Sequence, residues 1–144
     1  MLLSILLTLF LMLTVITFRY WVISQLIRLL PDEKEPHSHF CRSLPVLILL
    51  VSAHIAEIIW FAGGFYLSSR WLQLGELGES VGNEFMDFFY HSAVTYSSLG
   101  LSEMPTGHLR FMTAMESLTG IIILTWSATF FYSVMDRSRR PDCP

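Results

Sequence analysis

The sequence predicts an all-α membrane protein: three spanning helices and a shorter fourth that enters the bilayer and turns back. Three observations lead there. Of 144 residues, 53% are apolar and only 15% charged, a balance foreign to soluble domains. The apolar residues gather into three runs of spanning length. A short aromatic run lies between the last two.

The first run covers residues 1–30, interrupted by Arg19, Arg28 and a few Ser, Thr and Gln. A secretory leader is the competing reading. No basic segment precedes the run, however, and it far exceeds a leader core of about 7–15 residues. A transmembrane helix is therefore expected. Pro31 ends it, and a charged linker, residues 31–43, carries "DEKEPHSHFCR". The second helix is expected over residues 44–68, with Ser43 as its cap and Pro45 in its first turn, where a missing N–H costs nothing. At about 1.5 Å per residue it reaches roughly 36 Å, enough for a hydrocarbon core of about 30 Å. After a connecting segment, 69–83, and the aromatic run, the third spanning helix is expected over 108–136. The tail 137–144 opens on the basic stop Arg137, Arg139 and Arg140.

The aromatic run is "EFMDFFYHSAVTYSS", with a helix expected over 84–97. Phe85, Phe88, Phe89 and Ser92 share one face at i, i+3, i+4, i+7. Its reach of about 22 Å is short of a crossing. With no soluble core to join, it reads as a re-entrant helix. The polar stretch that follows, Ser97 to Glu103, then lies at membrane depth. Non-helical backbone survives there only when buried in protein or lining a watery path. Carbonyls contributed by several identical chains can replace an ion's hydration shell, which gives such a loop a use.

Arg28, Lys34, Arg42, Arg137, Arg139 and Arg140 flank the same side of the three spans. By the positive-inside rule that side is cytoplasmic, the N-terminus is outside and the re-entrant region faces outward. This outer region is acidic, with Glu76, Glu79, Glu84, Asp87 and Glu103. Cys41 and Cys143 have no metal-ligand spacing and read as free thiols. No phosphate loop, nucleophile–base pair or basic nucleic-acid stripe is present.

The stretch "FYHSAVTYSSLGLSEMP" resembles the pore loop of the potassium-channel superfamily, V-T-x-T-T-V-G-Y-G-D with a nearby Pro. Arg110, Glu116 and Gly120 resemble the R-x5-E-x3-G spacing of its small bacterial members, and "HIAEIIWFAGGFY" is similar to their outer helix. The resemblance covers residues 44–136 and leaves the first helix outside. It implies a homotetramer in the cell membrane around a filter of Ser97, Ser98, Leu99, Gly100, Leu101, Ser102 and Glu103. Potassium, sodium and, at an acidic mouth, calcium are the implied permeant ions, with no cofactor, nucleic acid or small-molecule substrate. It also implies a gating hinge at Gly120, although close packing explains that glycine equally well. Leu124, Ala128 and Tyr132 form a stripe that either lines the inner path or packs between helices.

The departures count as much as the match. Leu101 stands in place of the family tyrosine and Ser102 in place of its second glycine, so a cation pore is better supported than potassium selectivity. Glu103 has two compatible readings: a ring of four carboxylates at the mouth, or a loop acid that braces the pore helix. Ser98 either aims its hydroxyl at the innermost ion site or caps the helix end. His54 and Glu57, mid-span on one face, need a partner at membrane depth; with Glu116 they are expected to form a polar clamp at the base of the pore helix. Two other classes stay open: a non-conducting structural or regulatory subunit, and a haem- or metal-binding redox protein using His54, His91 or His108.

Overall fold

Residues 2–29, 39–78, 84–100 and 103–139 are described by the computed structural model, and among them there are four helices and no strand. These are α1 (Leu2–Leu29), α2 (His39–Arg70), α3 (Phe85–Tyr96) and α4 (Leu109–Arg139). Stretches of α1, α2 and α4, Leu2–Arg28, Ser43–Arg70 and Leu109–Asp136, are long and apolar enough to cross a membrane. This is an all-α membrane architecture.

α1 turns one seam toward the protein: Ser4, Thr8, Leu11, Val15, Arg19, Val22 and Leu26 are all buried. The spacing alternates between three and four residues, the repeat of one helical face. Polar residues sit in this seam, while leucines such as Leu6, Leu9 and Leu13 point outward. That is the reverse of a water-soluble helix, because here the outer solvent is lipid. α1 packs antiparallel on α2. Leu11 fills the space above Gly64, Arg19 reaches Glu57, and Val22 and Leu26 join Val46, Leu50 and Ala53. Phe130 and Phe131 of α4 close this second cluster.

α2 begins earlier than the sequence suggested. It starts at His39 rather than near Ser43, so Pro45 is interior instead of in the first turn. Its ring removes the N–H that would bond four residues back. Only residues 39–44 precede it, so the loss is confined to the helix's polar end. α2 also runs to Arg70, two residues past the expected boundary.

The segment between α2 and α3 is anchored to the stretch that precedes α4. Thr106 N–H donates to the Glu76 carbonyl (2.8 Å), Glu76 N–H to Thr106 Oγ1 (2.9 Å), and His108 N–H to the Leu74 carbonyl (2.9 Å). The side chain of Cys41 and all of Cys143, Leu101, Ser102 and Glu79 lie outside the described residues.

Candidate functional site

α3 begins at an acidic end. Glu84 N–H donates to Asp87 Oδ2 (3.0 Å), which occupies one of the amides a helix start leaves unpaired. Negative charge there also suits the helix dipole. Two of the outer acids thus serve the start of α3. The buried face of α3 is Phe88, His91, Ser92 and Thr95. Of the four residues the sequence places on one face, Phe88 and Ser92 are buried, Phe89 is half-buried and Phe85 exposed, and α3 is wedged between α2 and α4.

Its contacts follow a steady course. Along α2, Phe85 and Phe88 meet Tyr66 edge-on, His91 stands edge-on to Phe65, and Ser92 donates to the Ile58 carbonyl (3.0 Å). Finally Tyr96 Oη donates to Glu57 (2.6 Å). Along α4, His91 pairs with Thr113 (3.1 Å), Ser92 with Glu116 (2.5 Å) and Ser98 with Ser117 (3.1 Å). The Tyr96 carbonyl rests where a Cβ on Gly120 would be. Gly120 lies about 16 Å along α4 from Leu109 at roughly 1.5 Å per residue. The chain therefore descends to about mid-depth in α3, and by Thr106 and His108 it is back at the starting level. This is a re-entrant hairpin.

At its lowest point the helix ends in a Schellman motif. Ser98 N–H bonds the Thr95 carbonyl (2.9 Å) and Leu99 N–H the Val94 carbonyl (3.0 Å). Ser98 takes the left-handed position (φ 58°) usually given to glycine, and Gly100 follows it with φ 66°. Ser97, Ser98, Leu99 and Gly100 are all exposed in the single chain. Ser98 turns its hydroxyl to Ser117 of α4, and Ser97 Oγ donates to the Ala93 carbonyl (2.7 Å). Glu103 lies back against Gly78, with its Cβ 3.1 Å from where a Cβ on that glycine would stand.

Behind the hairpin is a buried ionic cluster. Arg19 of α1 donates from Nε to Glu57 Oε1 (2.9 Å) and from Nη2 to Oε2 (2.6 Å), a two-pronged pair with both side chains wholly buried. His54 Nδ1 lies 2.8 Å from Arg19 Nη2 and 3.0 Å from Tyr96 Oη. Glu116 does not join them. Its partner is Ser92, and among the described residues its Oε2 has no hydrogen bond. The expected three-residue clamp is thus two clamps, each gripping a hydroxyl of α3. The residue that sequence reasoning missed is Arg19. A lone arginine in an apolar span, in register with a polar seam, was the available signal.

Gly120 has a packing reason, and α4 continues unbroken through it. Leu124, Ala128 and Tyr132 are exposed in the single chain. His54, His91 and His108 occupy separate surroundings, and among the described residues no three His, Cys, Asp or Glu come together as metal ligands.

Three apolar helices with a fourth folded back between two of them define a multi-pass membrane protein built around a re-entrant loop. Residues 53–137, more than half of the chain, match the ion channel family, and the chain belongs to this family of two-helix, potassium-channel-like pores. No curated protein and no solved structure matches it.

Proposed function

We propose that four copies of this chain surround a central path for cations, with residues 97–103 as its narrowest part and 44–136 as the pore domain. The carrying observation is the hairpin that stops at mid-depth with Ser97 to Gly100 uncovered. Lipid cannot satisfy irregular backbone there, whereas a shared watery axis can. One chain supplies one quadrant of such a ring. Alternating left-handed residues, Ser98 and Gly100, suit a backbone that turns carbonyls toward an axis rather than into a ladder.

Conduction is passive and needs no cofactor. Potassium and sodium pass with little discrimination, because tight selection needs several carbonyl sites of defined number and field. Ser102 in the place of a glycine disfavours that regularity. Glu103 and Glu76 supply a negative rim that favours cations, including calcium. The position of Glu103 against Gly78 supports reading its charge as a rim charge rather than an axial ligand. In the cell membrane the N-terminus and the hairpin mouth face outward and the C-terminus faces the cytoplasm, a reading the basic flanks support. Leu124, Ala128 and Tyr132 are assigned to the inner path, and any bend of α4 to Gly120.

Reversal potentials in potassium–sodium gradients, with and without calcium, test this reading on protein in liposomes. A potassium-to-sodium permeability ratio below about ten is expected from sites this incomplete. Absence of any current would instead place the chain among non-conducting subunits.

A further inference from the structure

The family match starts at Ala53 and leaves α1 outside it, yet α1 carries the largest fully buried side chain among the described residues, Arg19. We infer that Arg19 is a positioning residue of the pore: acting through Glu57 and Tyr96, it sets where α3 ends and the loop at Ser97 begins. The inference rests on the reading of 97–103 as the conduction path.

The geometry is a relay of three side chains with fixed directions. The guanidinium presents Nε and Nη2 to the two oxygens of Glu57, which holds the carboxylate in one plane. Glu57 Oε2 then accepts from Tyr96 Oη at 2.6 Å. Tyr96 is the last residue of α3 and is held at both ends, its hydroxyl by Glu57 and its carbonyl by the bare Cα of Gly120. Ser97, Ser98 and Leu99 follow it and hang their amides on the last turn of α3. A shift of Tyr96 therefore moves the loop. α1 packs on α2 and α4, and its polar link to α3 runs through this relay.

A purely structural ion pair would hold α1 to α2 and do nothing more. The two roles separate because a buried pair replaced by apolar residues of similar volume is often tolerated, whereas removing one partner is not. In Arg19→Met/Glu57→Leu the helices keep their packing but Tyr96 loses its Glu57 acceptor, leaving His54 Nδ1, 3.0 Å away, beside its hydroxyl. Tyr96→Phe cuts the relay at its other end and leaves the ion pair intact.

Two readouts on the full-length protein test the inference. The first is the potassium-to-sodium flux ratio per assembled protein in phosphatidylethanolamine–phosphatidylglycerol liposomes. The second, independent of conduction, is hydrogen exchange at the amides of Ser97 to Leu99. Arg19→Met/Glu57→Leu and Tyr96→Phe are each expected to change the flux ratio at least threefold and speed exchange about tenfold. Combining all three substitutions should add nothing further, because residues in one chain of contacts are not additive. Arg19→Lys keeps the charge without the fork and is expected to speed exchange about threefold. Wild-type exchange and flux ratio in an assembled Arg19→Met/Glu57→Leu protein would overturn the inference. If that variant fails to assemble, unaltered exchange in Arg19→Lys overturns it instead. A wild-type protein without flux would sink the conduction reading alone, and the exchange measurement would still decide the role of Arg19.

Discussion

Glu57 and Glu116 both face α3 from long helices, but the protein surrounds them differently. Glu57 has a guanidinium across both oxygens and a tyrosine hydroxyl besides. Glu116 has Ser92 alone, and that hydroxyl is also 3.0 Å from the Ile58 carbonyl. A hydroxyl donates one hydrogen bond. Its one hydrogen is shared between the Glu116 carboxyl group and the Ile58 carbonyl, so Glu116 is held far more loosely than Glu57. Opposite outcomes follow for the same substitution. Glu57→Gln strands the Arg19 charge and is expected to cost about 3–5 kcal/mol. Glu116→Gln keeps an acceptor oxygen for Ser92 and leaves no opposite charge stranded, so it should cost under about 1 kcal/mol. Thermal unfolding in detergent separates them, and equal losses would refute the contrast. The two central glycines also part ways. A Cβ at Gly100 meets nothing within 4 Å, so Gly100→Ala meets only a left-handed backbone, a cost of about 1–2 kcal/mol. A Cβ at Gly120 runs into the Tyr96 carbonyl, so Gly120→Ala should cost about 1–3 kcal/mol and disturb the loop. Unfolding temperatures set beside flux for each variant check both.

The helices themselves were largely legible, since their signals are lengths and breaks in apolar runs. α3 was found within a residue at each end because Glu84 and Ser97 bound it on both sides. α2 was misread at its start, where Pro45 looked like a first-turn residue and is an interior one. What did not read through was partnership. Arg19 and Glu57 are separated by 38 residues, and no local pattern ties them. His54 and Glu57 need a partner at mid-span, and the sequence offers Glu116 more readily than Arg19, which lies on a helix outside the resemblance. The expected face of α3 accounts for Phe88 and Ser92 but not for His91 and Thr95, which are buried as well. A period of 3.6 locates one face, and a helix held between two neighbours has two. The α1 seam yields a prediction at this scale. Thr8→Leu forces a larger side chain into a fully packed position and should lower stability by about 1–3 kcal/mol. Leu9→Thr, on the exposed side, is expected to change it far less. A melt of the two variants in parallel checks the direction in which α1 faces.

A single chain leaves much of its apolar surface uncovered. Its hairpin tip and the apolar face of α4, with Ile121, Ile122 and Tyr132, stand uncovered. Four copies around an axis would cover the tip with water and ions and part of α4 with neighbours. Cross-linking in native membranes should then stop at four chains; a ladder ending at two would contradict the arrangement. The rim charges are exposed and screened, so their influence should fade with salt. Glu103→Gln is accordingly expected to lower calcium current at low ionic strength and to have little effect at high salt. Salt-independent loss would mean that the carboxylate sits on the axis after all.

The Arg19–Glu57 pair also bears on how the chain is made. Each residue alone at the bilayer centre is penalised by about 2.5–3.5 kcal/mol during insertion. Arg19 leaves the ribosome first, and its counter-charge follows 38 residues later. α1 therefore carries a charge whose carboxylate partner lies on α2. The pair involves α1 and α2 alone, so an antiparallel hairpin of these two helices already answers both charges without α3, and Tyr96 adds to a carboxylate held in place.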